Sequence, residues 1–240
     1  NKSDYLVILG GRLSENPSQG FSLFGIPEHN NRVVHIHPGP EEIGRIYKPH
    51  LGIACSPISF ANALNNALKG LNTKPSSENE VNTNQAHEEY LEWGNMPLEA
   101  PNSGVDLTSA FRSLREKLEP NTIITNGAGN YAVWGHRLFR FSQFGTQLAP
   151  ISGSMGYGLP AAIAAKLRNP DKTVIALAGD GCFQMTENEF ATAVQYNAAV
   201  IVFVVDNEMY GTIRMHQHKN YKGKYKHTGL INPDFNKLAV

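Results

Sequence analysis

The sequence predicts an α/β protein built on parallel, three-layered sheets, and three observations carry that prediction. Apolar runs of strand length, such as Tyr5–Leu9, Arg32–His37, Thr173–Ala178 and Ala199–Val205, alternate with segments patterned for helices. Several of these runs end in Gly, Asp or Asn, which suit tight turns out of a strand. The chain has 240 residues, enough for one or two domains each with its own core.

The elements follow in order. Residues 1–71 alternate in the manner of a βαβ protein. The strand Tyr5–Leu9 is ended by Gly10-Gly11, and Arg32–His37 is ended by Pro38-Gly39-Pro40. Glu41–Tyr47 is predicted as a helical turn and Gly52–Cys55 as a third short strand. Ile58–Leu68 follows as a helix with apolar residues at Ile58, Ala61, Leu64 and Leu68. This is a small parallel sheet, expected to lack its first strands. Residues 72–104 show no sustained period and are predicted to be an interdomain connection, pinned in part by Tyr90, Leu91 and Trp93.

Residues 105–240 form the second domain. A helix over Leu107–Leu118 leads to a strand, Thr122–Thr125, and the turn Asn126-Gly127-Ala128-Gly129-Asn130. Gly153-Ser154-Met155-Gly156-Tyr157-Gly158-Leu159-Pro160 opens an Ala-rich helix through Leu167, with Pro160 in the first turn, where its missing N–H does no harm. The strand Thr173–Ala178 runs into Gly179-Asp180-Gly181. Thr186-Glu187-Asn188-Glu189 is patterned as a capping box for the next helix. The strand Ala199–Val205 ends in Asp206-Asn207. Three strands therefore end in Gly, Asp or Asn at the carboxyl edge of one sheet, where open α/β sheets bind ligands. At the far end, Asp234–Val240 reads as an amphipathic helix without cover, and the chain is expected to be a piece of a longer one at both ends.

Composition excludes several classes of function. Lys and Arg number 21 against 21 Asp and Glu, so no global field draws the chain to nucleic acid or an anionic membrane. The longest apolar runs, such as Val200–Val205, are far short of a bilayer span. No signal-peptide pattern opens the sequence. Cys55 and Cys182 lie far apart and suggest no disulfide framework, which fits a reducing cytoplasm.

The strand ends suit a phosphate and a metal. A diphosphate needs backbone N–H groups brought close, and glycine permits that approach. Gly127–Asn130, Gly153–Gly156 and Gly181-Cys182 all sit where a strand meets a helix or loop, although such turns also arise from fold geometry alone. Magnesium takes a near-octahedral set of oxygens, usually one or two from protein and the rest from water and phosphate. Asp180 and Asn207 end successive strands 27 positions apart (207 − 180), the length of a helix plus a strand. A right-handed crossover brings such strand ends close, so both oxygens can converge on one ion; a turn aspartate and a strand-end cap give the same spacing.

Gly179-Asp180-Gly181-Cys182-Phe183, followed at that distance by Val205-Asp206-Asn207, resembles the cofactor signature of the thiamine-diphosphate-dependent enzymes of the acetolactate synthase, pyruvate oxidase and 2-oxoacid decarboxylase group. Gly153–Ala162 is similar to the segment that precedes it in acetolactate synthase-like members. The likeness extends back through Asn126–Trp134, and residues 1–71 look like the later part of the family's central domain. It implies thiamine diphosphate and Mg²⁺ as cofactors. Asp180 and Asn207 would give side-chain oxygens to the metal and Met209 its backbone carbonyl. Gly127, Ala128, Gly129, Asn130, Gly181 and Cys182 would contact the diphosphate, Met155 would hold the cofactor bent, and the Gly153 carbonyl would accept from the aminopyrimidine. Tyr210, Gly211 and Ile213 would pack on it. The usual Asn-Asn pair is Asp206-Asn207 here, which keeps the ligand and adds a carboxylate.

The resemblance further implies C–C bond making or breaking beside the carbonyl of a 2-oxoacid or acyl donor, and a homodimer or homotetramer. No catalytic residue is assigned to this chain, because the family's activating glutamate lies on a separate pyrimidine-binding domain. A non-catalytic binding or assembly module is the alternative. An ordinary dinucleotide-binding domain would need a strand-linked G-x-G-x-x-G with an acidic partner, which is missing. His35-x-His37 and His216-x-His218 have no Cys or carboxylate cluster beside them and are read as incidental. His37 stands where flavin-using relatives carry an aspartate, which argues against FAD. The basic run Arg214–His227 is predicted as a solvated loop.

Overall fold

The structure, a computed structural model, describes residues 3–71, 74–95 and 102–238. The chain divides into two compact units, Asn1–Ser77 and Glu78–Val240.

The first unit holds β1 (Tyr5–Leu9), β2 (Arg32–His37), β3 (Leu51–Ala54) and helix α1 (Pro57–Leu68). The strands form a parallel sheet in the order β1-β2-β3, with Leu6 opposite Val33 and Ile36 opposite Ile53. β2 is central, so its alternating residues are covered on both faces: Val33, His35, Ile36 and His37 are all buried. Ser56 caps α1 through the Ser59 N–H, and Pro57 takes its first position. Over 41–47, where a helical turn was expected, only a 3₁₀ turn at Pro40–Glu42 forms. Gly44, at φ 76°, breaks the helical path there.

The second unit contains α2 (Ser77–Asn95), α3 (Leu107–Lys117), β4 (Ile123–Asn126), α4 (Ala132–Leu138), β5 (Gln147–Leu148), α5 (Gly158–Arg168), β6 (Val174–Gly179), α6 (Asp180–Phe183), α7 (Phe190–Gln195), β7 (Ile201–Val205), α8 (Gly211–Tyr221) and α9 (Phe235–Leu238). The sheet is parallel throughout, in the order β5-β4-β6-β7. Alternate residues of the strands supply two cores. Ile175 and Leu177 of β6 pack with Phe203 on one face, under Phe111 of α3, Leu138 of α4 and Phe139. Val174, Ala176 and Ala178 face the other way, with Val202 and Val204, under Leu159 and Ile163 of α5 and Ala193 of α7. Helix, sheet and helix make the three layers. β6 is buried at every position because both faces are covered, which is why it reads as an unbroken apolar run.

Three further expectations need correction. The connection over 72–104 contains a 19-residue helix, α2; its residues 72–73 and 96–101 lie outside the described part. Glu78 and Glu80 suit its N-terminal turn, and arginines finish its other end. The Arg137 Nε–H donates to the Trp93 carbonyl at 2.8 Å, and Arg112 donates to the Asn95 carbonyl at 2.6 Å. The expected capping box does not form. Thr186 gives its hydroxyl to the Gly156 carbonyl at 2.8 Å, and Glu189 accepts from the Thr192 hydroxyl, so the helix starts through a 3₁₀ turn, Glu187–Glu189.

The basic run after Arg214 is not a solvated loop either. Its first part is α8, and the following turn folds back on that helix. Gln217 exchanges two hydrogen bonds with the backbone of Lys226, at 3.0 and 3.1 Å, while the Arg214 guanidinium lies 4.1 Å over the Tyr225 ring. Among the described residues, no helix is long and apolar enough to cross a membrane.

Candidate functional site

The carboxyl ends of β4, β6 and β7 border a solvent-open cleft. Parallel register fixes its floor. Gly179 pairs with Val205, so Asp180 and the Asp206-Asn207 pair leave neighbouring strands side by side.

Ala128, Gly129 and Asn130, from the turn between β4 and α4, line one side of the cleft. Met155 comes from the loop before α5, and Asp180, Gly181 and Cys182 from the start of α6. Asn207, Met209, Tyr210, Gly211 and Ile213 come from the segment that joins β7 to α8. These twelve expected residues converge; two do not line the cleft. Gly127 is buried beneath it, and Gly153 is exposed, with φ 66°.

The glycines of the turns are required by the protein's own packing. A Cβ on Gly127 would overlap Cys182 Sγ and lie 2.9 Å from the Tyr131 hydroxyl. One on Gly129 would lie 2.6 Å from the Tyr131 ring, and one on Gly181 would lie 2.5 Å from the ring of Tyr210. The sequence expectation that glycine leaves room for phosphate is thus incomplete, since aromatic side chains fill much of the space where Cβ atoms would stand.

Asp180 is 3% exposed, and among the described residues no Lys, Arg or His forms an ion pair with it. Its Oδ1 accepts from the Gly181 N–H at 2.8 Å and its Oδ2 from Asn232 at 2.8 Å. Burying a carboxylate without a cation carries a large desolvation penalty, which two neutral donors only partly offset. A divalent cation at this edge of the sheet suits that carboxylate. The Asn207 Oδ1 accepts the Met209 N–H at 3.3 Å, and the Met209 carbonyl accepts the Gly211 N–H at 2.9 Å; each oxygen keeps a second lone pair.

Two of the backbone donors expected to face a diphosphate are already engaged. Gly181 N–H is held by Asp180, and Asn130 N–H donates to Thr212 Oγ1 at 3.0 Å. Cys182 turns its sulfur inward, where it accepts the Tyr131 hydroxyl at 3.2 Å and the Gly156 N–H at 3.1 Å. Burial, with that thiol beside it, pushes the Tyr131 phenol above its ordinary range, so it stays a neutral donor.

Sequence reasoning missed Tyr131, Gly179, Val205 and Thr212, which also line the cleft, and Asn232 behind it. Tyr131 directly follows the glycine turn, and that adjacency is its signal in the sequence. Thr212 and Asn232 carry no local signal. His35 and His37 lie in the first unit, bonded to the Gly11 carbonyl at 3.0 Å and to the Gly39 backbone. His218 accepts or donates at the Tyr225 hydroxyl.

Residues 127–240 match the family model described as thiamine pyrophosphate enzyme, C-terminal TPP binding domain. Among curated proteins, the chain is similar to the acetolactate synthase large subunit of Cyanidium caldarium, 28% identical over 244 residues, 100% of this chain and 40% of that protein. It is 30% identical over 238 residues to acetolactate synthase 1, chloroplastic, of Oryza sativa subsp. japonica, 98% of this chain and 36% of that one. A shorter stretch of 119 residues is 43% identical to the mitochondrial acetolactate synthase catalytic subunit of Aspergillus candidus, 49% of this chain and 17% of that protein. Among solved structures, the Rhodococcus jostii RHA1 thiamine diphosphate-dependent 4-hydroxybenzoylformate decarboxylase shares the fold, with a TM-score of 0.72 at 22% identity over 98% of this chain and 42% of that chain. The chain therefore spans about 40% of the length of the first of these relatives.

Proposed function

We propose, from the premise that residues 127–240 belong to the thiamine pyrophosphate enzymes as their C-terminal TPP binding domain, that this chain anchors thiamine diphosphate through Mg²⁺ in an acetolactate synthase-like enzyme. The observation that carries the metal is the buried Asp180 carboxylate, without a protein cation among the described residues, beside Asn207 on the neighbouring strand. Asp180, Asn207 and the Met209 carbonyl would hold Mg²⁺, with water and phosphate oxygens completing the shell.

Gly127–Asn130 and Gly181-Cys182 are assigned to the diphosphate, with the donors of Asn130 and Gly181 having to exchange their present partners. Met155, which packs on the Phe111–Tyr131 core, would hold the bend of the cofactor, and Tyr210, Gly211 and Ile213 its flank. The Gly153 carbonyl is assigned to the aminopyrimidine. Bound thiamine diphosphate supplies the electron sink for breaking or forming a C–C bond next to a carbonyl, while the protein supplies position and electrostatics. The substrate class is a 2-oxoacid or acyl donor. The activating glutamate is assigned to a separate pyrimidine-binding domain, across the interface of a homodimer or homotetramer. A cytoplasmic setting is kept on the two free cysteines, whereas the Oryza and Aspergillus relatives are named chloroplastic and mitochondrial.

Calorimetric titration of the chain with thiamine diphosphate in Mg²⁺ tests this reading. One site per chain is expected, with the affinity lost in Asp180→Ala. Equal affinity for both proteins would sink the metal assignment.

A further inference from the structure

Asn232 lies 25 residues beyond Asn207 (232 − 207) and reaches back to the cleft. Its single Nδ2 donates to two carboxylates at once, to Asp180 Oδ2 at 2.8 Å and to Asp206 Oδ1 at 2.7 Å. The amide cannot be turned over: its Oδ1 accepts from Gln184 Nε2 at 2.9 Å, and a flip would set oxygen against two anions and NH₂ against NH₂.

Asn232 is delivered by a short strap. The Leu230 N–H donates to the Glu208 carbonyl at 2.8 Å and the Tyr210 N–H to the Thr228 carbonyl at 2.9 Å, closing an antiparallel bridge between Met209 and Gly229. Thr228 is buried, and Glu208 takes φ 54° to make the pairing. One strap thus sets both the Met209 backbone and the Asp180 carboxylate.

From this geometry, and resting on the metal reading above, we infer that Asn232 is a positioning residue that fixes Asp180 for the cation and ties Asp206 away from it. Asp180 then has one donor on each oxygen, Gly181 N–H and Asn232 Nδ2–H, which locks its rotamer and leaves a lone pair on each. The second carboxylate at 206, where the resemblance expects an amide, makes this tie necessary. Without Asn232, Asp206 Oδ1 keeps the Glu208 N–H at 3.1 Å, but the donor it shares with the Asp180 carboxylate is gone, and two like charges lose the group that bridges them. Groups that orient a metal ligand typically change metal affinity about 10–100-fold when removed.

The experiment measures the Mg²⁺ concentration that half-saturates binding of thiamine diphosphate, followed by quenching of intrinsic fluorescence. The proteins are the wild-type chain, Asn232→Ala, Asp206→Asn, their double variant, and Asp180→Ala. Asn232→Ala is expected to raise the half-saturating Mg²⁺ about 10–100-fold. Adding Asp206→Asn should recover much of the loss, because the opposing carboxylate is gone, whereas a merely structural defect would persist. Circular dichroism of each variant before titration separates misfolding from altered binding, and Asn232→Ser supplies a second small replacement. Unchanged or tighter Mg²⁺ dependence in folded Asn232→Ala and Asn232→Ser, or a loss that Asp206→Asn leaves intact, overturns the inference while the metal reading stands. Wild type without Mg²⁺-dependent binding, or Asp180→Ala equal to wild type, overturns both.

Discussion

The Tyr131 hydroxyl donates to Cys182 Sγ at 3.2 Å, joining the turn after β4 to the start of α6, 51 residues later in the chain. The same sulfur accepts the Gly156 N–H, so three loops of the cleft meet at one atom. Gly127 lies directly beneath, with no room for a methyl group. This small buried knot holds the expected diphosphate turn, the Met155 loop and the Asp180 helix in mutual register.

Gly127→Ala forces its Cβ into Cys182 Sγ and toward the Tyr131 hydroxyl. Its φ is not in the left-handed region, so the difficulty is space alone. Overpacking of this kind costs about 1–3 kcal/mol. Urea unfolding is expected to reveal a loss of that size, and an unaltered midpoint would show that the knot yields freely.

Tyr131→Phe keeps the ring that fills the space beside Gly129 and Gly179 but removes the donor to sulfur. Cys182 retains the Gly156 N–H, so no acceptor is stranded. A loss of about 0.5–1.5 kcal/mol is expected by the same unfolding measurement. Stability equal to wild type would mean that the hydroxyl–sulfur contact contributes nothing.

Thr212 ties α8 to the β4 turn by accepting the Asn130 N–H and donating to Asn130 Oδ1, both at 3.0 Å. Thr212→Val preserves the branched shape and loses both bonds. With about 1–2 kcal/mol at stake, exchange of the Asn130 amide should accelerate roughly five- to thirty-fold. Asn130 is exposed, so global stability should hardly move. Hydrogen exchange followed by NMR checks this, and an unchanged rate would contradict it.

Desolvation holds the His136 imidazole below its ordinary value of 6.5. The unfolded chain then binds the proton more readily than the folded one, and stability rises with pH between the folded and unfolded values. The contribution is complete above the unfolded value and is lost as pH falls toward the folded one. Melting temperatures measured from pH 7 to pH 5 should therefore fall, and His136→Gln should flatten the slope. Equal slopes for the two proteins would remove His136 as the cause.

The parallel sheet was legible because β6 is buried on both faces and so reads as one apolar run, bounded by Gly-Asp-Gly. The Asp180–Asn207 pairing was legible because a helix plus a strand separates them and the register places their strands side by side. Longer-range choices were not. Thr186 has the pattern of a cap, yet its hydroxyl is taken by Gly156, 30 residues earlier. α8 hides in a basic stretch because the turn that folds back on it, through Lys226 and Tyr225, has no helical period. Asn232 resembles any loop asparagine until the strap brings it against two carboxylates. The two-residue β5 is too short to carry a pattern.

The central claim is that one divalent cation, held at the edge of β6 and β7, anchors the diphosphate. Anomalous diffraction from crystals grown with Mn²⁺ and thiamine diphosphate tests it most directly. The account predicts one peak within coordination distance, about 2.0–2.3 Å allowing for the larger ion, of Asp180, Asn207 and the Met209 carbonyl, with diphosphate density beside residues 127–130. A peak elsewhere, or clear cofactor density with no metal at Asp180, would contradict it.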